Sequence, residues 1–157
     1  MQQVSQIKNF LEVDKKIATA GQPCLRELET LADAGYQTII NLGMEDSDYA
    51  LNDEKVWVEQ LGMKYFHIPV ELQGPKIADF IRFLNTMNLQ QHKKLFIHCE
   101  DNKRVSVFVA LYLVISNDIS LTKGWNLILE VWEPNLVWES YYYDALNQFY
   151  RIKQEVE

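Results

Sequence analysis

The segment Leu95-Phe96-Ile97-His98-Cys99 is the feature that most restricts how this chain can fold. It reads as a buried strand, and it gives way at once to the polar run Glu100-Asp101-Asn102-Lys103-Arg104. A second apolar run, Val105 to Ile115, follows directly, with Ser106 near its start. Its valine, isoleucine and aromatic content would suit a strand by propensity. Its 11 residues, set behind a short polar loop, argue instead for a buried helix. Strand, tight loop and helix in that order place Cys99 at a strand's carboxyl end, at the base of a loop whose amides and helix N-terminus can hold an anion. Such settings favour the thiolate, the nucleophilic form of cysteine.

The rest of the chain supplies the matching layers. A strand is expected at Ile17 to Ala20, then a helix from Leu25 to Ala34 closed by Gly35. Thr38 to Leu42 is a β-branched strand, and Leu51 to Leu61 a helix closed by Gly62. Lys64 to Val70 is a further strand. Pro75 opens a helix to Met87, with Ile77, Phe80, Ile81 and Leu84 on one face. Leu95 to Cys99 is then the central strand. Helices follow at Leu121 to Val131 and from Pro134 to Lys153, where Trp125, Trp132, Trp138 and Tyr141-Tyr142-Tyr143 recur at helical spacing and pack the last helices on the sheet. The alternation specifies an α/β fold, one domain over residues 1–157, with a mostly parallel central sheet flanked by helices on both faces. Ligands in such sheets sit beyond the carboxyl ends of strands, so the loops after Leu42, Val70 and Cys99 are expected to converge.

The order His98-Cys99, polar loop, Arg104 and a hydroxyl at Ser106 resembles the cysteine-dependent tyrosine and dual-specificity phosphatase superfamily. Ile17-Ala18-Thr19-Ala20-Gly21-Gln22-Pro23, Thr38-Ile39-Ile40-Asn41-Leu42 and Lys64-Tyr65-Phe66-His67-Ile68-Pro69-Val70 look like a small bacterial branch of it. The resemblance implies a phosphatase-like fold and hydrolysis of a phosphomonoester through a cysteinyl-phosphate. Cys99 would be the nucleophile. Arg104 would clamp the phosphoryl group together with the loop Glu100, Asp101, Asn102, Lys103 and Val105, which contributes its backbone amides. Ser106 would assist thiol departure or cap the following helix. His98 would support the loop by hydrogen bonding rather than act as a base. Relatives take a general acid from the loop beyond a neighbouring strand. Glu71 is the nearest carboxylate after Val70, with Asp46 and Asp48 as outside candidates and Asp79 inside the next helix. His67 is expected to be packed or half-exposed and His92 to lie on the surface.

This chain departs from the pattern at the loop. Four residues separate Cys99 from Arg104 where the superfamily has five, and Asn102 stands at the usual glycine, a substitution a left-handed backbone tolerates. Glu100 and Asp101 are also unusual. A carboxylate ~6 Å from a bound phosphate charge costs ~3 kcal/mol at an effective dielectric of 20, against ~0.7 in water, so both side chains are expected to point outward. Two alternatives follow. Rhodanese-like sulfurtransferases commonly show the four-residue spacing, with a persulfide carried on the cysteine. A pseudophosphatase would bind a phosphorylated partner without turnover.

The formal net charge of −7 argues against nucleic acid or an anionic membrane as partner, leaving a phosphorylated small molecule or a phosphoprotein. No secretory leader is read in Met1 to Phe10, and no apolar run approaches the ~18 residues a bilayer requires. Two cysteines, Cys24 and Cys99, make no disulfide framework, which suits a reduced cytoplasmic setting. Cys24, His67, His98 and Cys99 lack short metal-ligand spacing, and the reading calls for no metal and no cofactor.

Overall fold

The computed structural model describes residues 3–116 and 118–150. Five strands, β1 (Leu11–Glu12), β2 (Ile17–Ala20), β3 (Thr38–Asn41), β4 (Lys64–His67) and β5 (Leu95–His98), form one sheet in the order β1-β2-β5-β3-β4. All neighbours are parallel except β1 and β2. The two-residue β1, which the periodicity did not reveal, shields one edge. β5 is central, in register with β2 and β3, so Ala20, His98 and Asn41 stand level at the carboxyl edge with His67 beside them.

Alternate strand residues face two cores. On one side Ala18, Ala20, Ile39 and Phe96 meet Leu28 and Leu31 of α1 (Leu25–Asp33) and Val58 of α2 (Glu54–Gln60). On the other, Ile40, Leu42, Ile97 and Cys99 meet α3 (Ile77–Leu89), α4 (Lys103–Ile115), α5 (Leu121–Leu129) and α6 (Leu136–Ala145). Covered by the sheet and by α5 and α6, α4 buries every residue from Arg104 to Val114, and this is why a helix could carry so uniformly apolar a sequence. Phe108 is its centre, edge-on to Phe80 and Phe83 at 5.5 and 5.4 Å and stacked on Tyr141 at 5.7 Å.

Some boundaries differ from the sequence expectation. α2 starts at Glu54, three residues after Leu51, because Asp53 takes a left-handed turn (φ 59°) that a helix cannot include. β4 ends at His67, before Val70; Pro69 has no N–H to give the ladder, although Ile68 and Val70 still donate to Asn41 and Leu42. α3 buries Phe80, Phe83 and Met87, and Ile81 is 42% exposed rather than on the packed face. α6 is capped by Asn135, which accepts from the Trp138 amide, and passes into a π-helical turn at Leu146–Tyr150; Lys153 lies outside the described residues. Trp138, Tyr141 and Tyr142 are buried as expected, whereas Tyr143 is exposed. No helix among the described residues is long and apolar enough to cross a membrane.

Candidate active site

The three loops converge through main-chain bonds. Leu42 donates to the His98 carbonyl at 2.8 Å, and Val70 to the Leu42 carbonyl at 3.0 Å. The segment after β2 joins them. Gln22 donates to the Glu100 carbonyl at 3.2 Å, and Gly21 bridges Asp101 so closely that a Cβ on it would lie 2.6 Å from the Glu100 oxygen. The chain from Cys99 to Arg104 is therefore framed on several sides before any side chain is considered.

Asn102 turns that chain into α4. It is left-handed at φ 69° and ψ 0°, and its amide group donates to the Asn9 carbonyl at 2.9 Å and to Thr19 Oγ1 at 3.0 Å. The amides of Lys103, Arg104 and Val105 open the helix and have no intrahelical carbonyl to donate to. Their partial positive charge lies at the end of the loop that Cys99 begins. Cys99 itself is 1% exposed.

Arg104 is 3% exposed. Its Nη1 donates to the Val70 carbonyl at 2.8 Å, its Nη2 lies 3.2 Å from Glu100 Oε1, and its Nε is buried without a partner. Glu100 thus turns in toward the guanidinium, correcting the expectation that it points outward. The pair meets across the left-handed turn at Asn102, four positions apart, and the attraction of a buried cation outweighs exposure to water. Asp101 does turn out, to an ion pair with Lys8. Lys103 lies over the Trp132 ring at 5.5 Å.

Ser106 sits beyond the helix start and does not cap it; Asn102 holds that position. Its hydroxyl donates to the Lys103 carbonyl at 2.6 Å and accepts from Trp132 Nε1 at 3.0 Å. Glu71 is exposed, one residue beyond the carbonyl that anchors Arg104. The loop carrying it is held again by Trp138 Nε1 to the Leu72 carbonyl (2.7 Å) and by the Tyr141 hydroxyl to the Lys76 carbonyl (2.8 Å). Asp46 and Asp48 are exposed in the loop after β3, and Asp79 is buried beside Arg82.

Behind the loop, His98 is fully buried. Its Nδ1 is 3.4 Å from the Cys99 carbonyl, and its Nε2 donates to Glu54 Oε2 at 2.8 Å. Glu54 Oε1 also accepts from Gln22 Nε2 at 2.5 Å. Burial pushes the Glu54 carboxyl up, but the adjoining His98, with Gln22 and His67, brings it net below the ordinary carboxylate value. Sequence reasoning missed Glu54 because it lies 44 positions before His98 and nothing local marks it. His67 is half-buried, its Nε2 2.6 Å from the Gly43 carbonyl; His92 is exposed. Among the described residues no group of three or more His, Cys, Asp or Glu is placed to hold a metal.

Residues 2–133 match the family model "DSP-PTPase phosphatase fused to NAD+ Kinase". The chain belongs to that family. Its fold is similar to the crystal structure of the "putative phosphatase (DUF442)" of Shewanella putrefaciens CN-32, with a TM-score of 0.85 and 25% identity over 93% of this chain and 96% of that one. It is also similar to Tk-PTP in its active form (TM-score 0.69, 22% identity, 90% and 95% covered). The core catalytic domain of the PP-IP phosphatase SIW14 from S. cerevisiae shares the fold as well (TM-score 0.74, 15% identity, 95% and 93% covered). Among curated proteins, the "Beta-lactamase hydrolase-like protein" of Xylella fastidiosa (strain Temecula1) is 28% identical over 109 residues, 68% of this chain and 25% of that protein. The chain spans about a quarter of the length of the curated relatives it matches.

Proposed function

We propose that this member of the phosphatase family hydrolyses a phosphomonoester through a cysteinyl-phosphate. The Cys99 thiolate attacks phosphorus, the P–O ester bond breaks, and the leaving oxygen takes a proton. Water then cleaves the S–P bond, releasing phosphate and the thiolate. Arg104 and the amides of residues 100–105 bind the phosphoryl oxygens, and His98 supports the loop through the Cys99 carbonyl. Glu71 is the proposed acid. Its loop is tied to Arg104 through the Val70 carbonyl, one residue before it. The reading rests above all on the continuity from β5 through Cys99 and a left-handed Asn102 into the head of α4, with a buried arginine whose Nε still lacks an acceptor. The substrate is a phosphorylated small molecule or phosphoprotein.

The test is p-nitrophenyl phosphate hydrolysis. Cys99→Ser should abolish turnover while the protein melts as the wild type does. Arg104→Ala should raise KM and lower kcat, the latter by roughly 10²–10³-fold, as expected for losing a transition-state donor. Full activity in Cys99→Ser would end the covalent mechanism.

One observation favours a second reading. With four residues between Cys99 and Arg104, two of the guanidinium nitrogens, Nη1 and Nη2, are engaged by Val70 and Glu100 rather than turned to an anion. A sulfurtransferase would use Cys99 to take the outer sulfur of thiosulfate, release sulfite and pass the sulfur to cyanide as thiocyanate. A persulfide mass shift on Cys99 after thiosulfate treatment, without phosphate-ester turnover, would select it.

A further inference from the structure

We infer that Glu100 tunes specificity at the phosphoryl site: its carboxylate is a resident competitor for Arg104 and weakens the site's preference for the more highly charged phosphoryl group. The inference rests on the phosphate-binding role proposed above for Arg104. A guanidinium offers two oxygens of an anion its parallel Nε and Nη2 donors. Here Nη1 is used by Val70, Nη2 meets Glu100 at 3.2 Å, and Nε is buried and unpaired. Glu100 therefore holds one prong of the fork and leaves the other open. A phosphoryl group that takes both prongs must displace the carboxylate or sit beside it.

Displacement is feasible. The contact is single rather than bidentate, and the Glu100 side chain is 27% exposed, so it has a path into water. Of the two carboxylates in the loop, Asp101 is already turned out to Lys8, which makes Glu100 the one whose charge bears on the anion. Coulomb repulsion is linear in ligand charge, so a dianion meets twice the opposition a monoanion meets. Glu100 thereby lowers the advantage that a fully ionised phosphate has over a monoanionic phosphoryl group at Arg104 and the loop amides, so more of the affinity must come from the group attached to the phosphoryl.

Glu100→Gln keeps the shape and removes the charge. Calorimetric binding of phenylphosphonate and of its monomethyl ester, well above neutral pH, compares a dianion with a monoanion of the same ring. The variant should bind the dianion about tenfold more tightly and the monoanion about threefold, because affinity is exponential in an energy linear in charge. The KM for p-nitrophenyl phosphate should fall while kcat stays within about twofold. Glu29→Gln, which removes an exposed charge from α1, should change neither affinity. Equal factors for both ligands, no tightening, or loss of kcat would overturn the inference and make Glu100 a support for Arg104. If neither compound binds to either protein, the phosphate-site reading falls and this one with it. Glu100→Ala, checked for folding by circular dichroism, repeats the comparison without an amide.

Discussion

At the scale of single residues, Glu54 shows how the site is held from behind. A carboxylate 4% exposed is costly unless its oxygens are satisfied, and here both are, by Gln22 and His98. Desolvation opposes ionisation, yet the neighbouring imidazole leaves the folded-state value below the ordinary 4.5. The sign follows. The stability Glu54 contributes is fully present above its unfolded value and is lost as pH falls through the lowered folded value. Glu54→Gln offers one acceptor oxygen where the carboxylate offers two, so one donor is orphaned. Denaturant melts should show a loss of roughly 1–3 kcal/mol near neutral pH. The same melts carried from pH 7 to below 4.5 should lose less stability in the variant than in wild type. An unchanged acid limb would mean that other carboxylates dominate it.

At the scale of elements, α4 is positioned by the residue that caps it, Asn102, as much as by its apolar body. The left-handed turn at Asn102 aims the amides of the first turn along the loop, and its side chain ties the turn to Asn9 and, through Thr19, to β2. Backbone and side-chain contributions separate in two substitutions. Asn102→Gly keeps the left-handed backbone and loses two hydrogen bonds; Asn102→Ala loses both and adds strain of roughly 1–2 kcal/mol. Stability and phosphate affinity should both fall in the order wild type, Gly, Ala, read by thermal melts and by inorganic phosphate inhibition. Gly equal to or better than wild type would mean that the two side-chain bonds add nothing. The strand–loop–helix unit was legible because its signal is contiguous from Leu95 to Ile115. Asn102 was legible too, since few non-glycine residues accept that backbone. The inward turn of Glu100 was not. Repulsion from phosphate favours an outward carboxylate, but the attraction to Arg104 across the Asn102 turn, which only the folded loop creates, outweighs it.

At the scale of the whole molecule, the α/β class followed from alternating periodicities, whereas the site's back wall did not. Strand pairing brings Gly21 to Asp101 and Asn41 level with His98 over separations that no window of sequence spans. The Val70 contact to Arg104 and the Glu54 contact to His98 arise the same way. The global charge adds a consequence of its own. The chain carries −7, while the loop's charges are largely compensated, Asp101 by Lys8 and Glu100 by Arg104. The phosphorylated substrate proposed above would therefore approach a negative body with no strong positive field to draw it in. Raising ionic strength from about 0.01 M to about 0.15 M shortens the screening length from ~30 to ~8 Å and should increase kcat/KM for p-nitrophenyl phosphate about two- to threefold. kcat should remain constant, because screening acts on approach and not on the bound complex. Acetate and chloride salts measured in parallel separate screening from competition at the loop, since a competing anion raises KM in proportion to its own affinity. A steady fall of kcat/KM with both salts would show that the local cations Lys8, Lys103 and Arg104 govern capture despite the acidic whole.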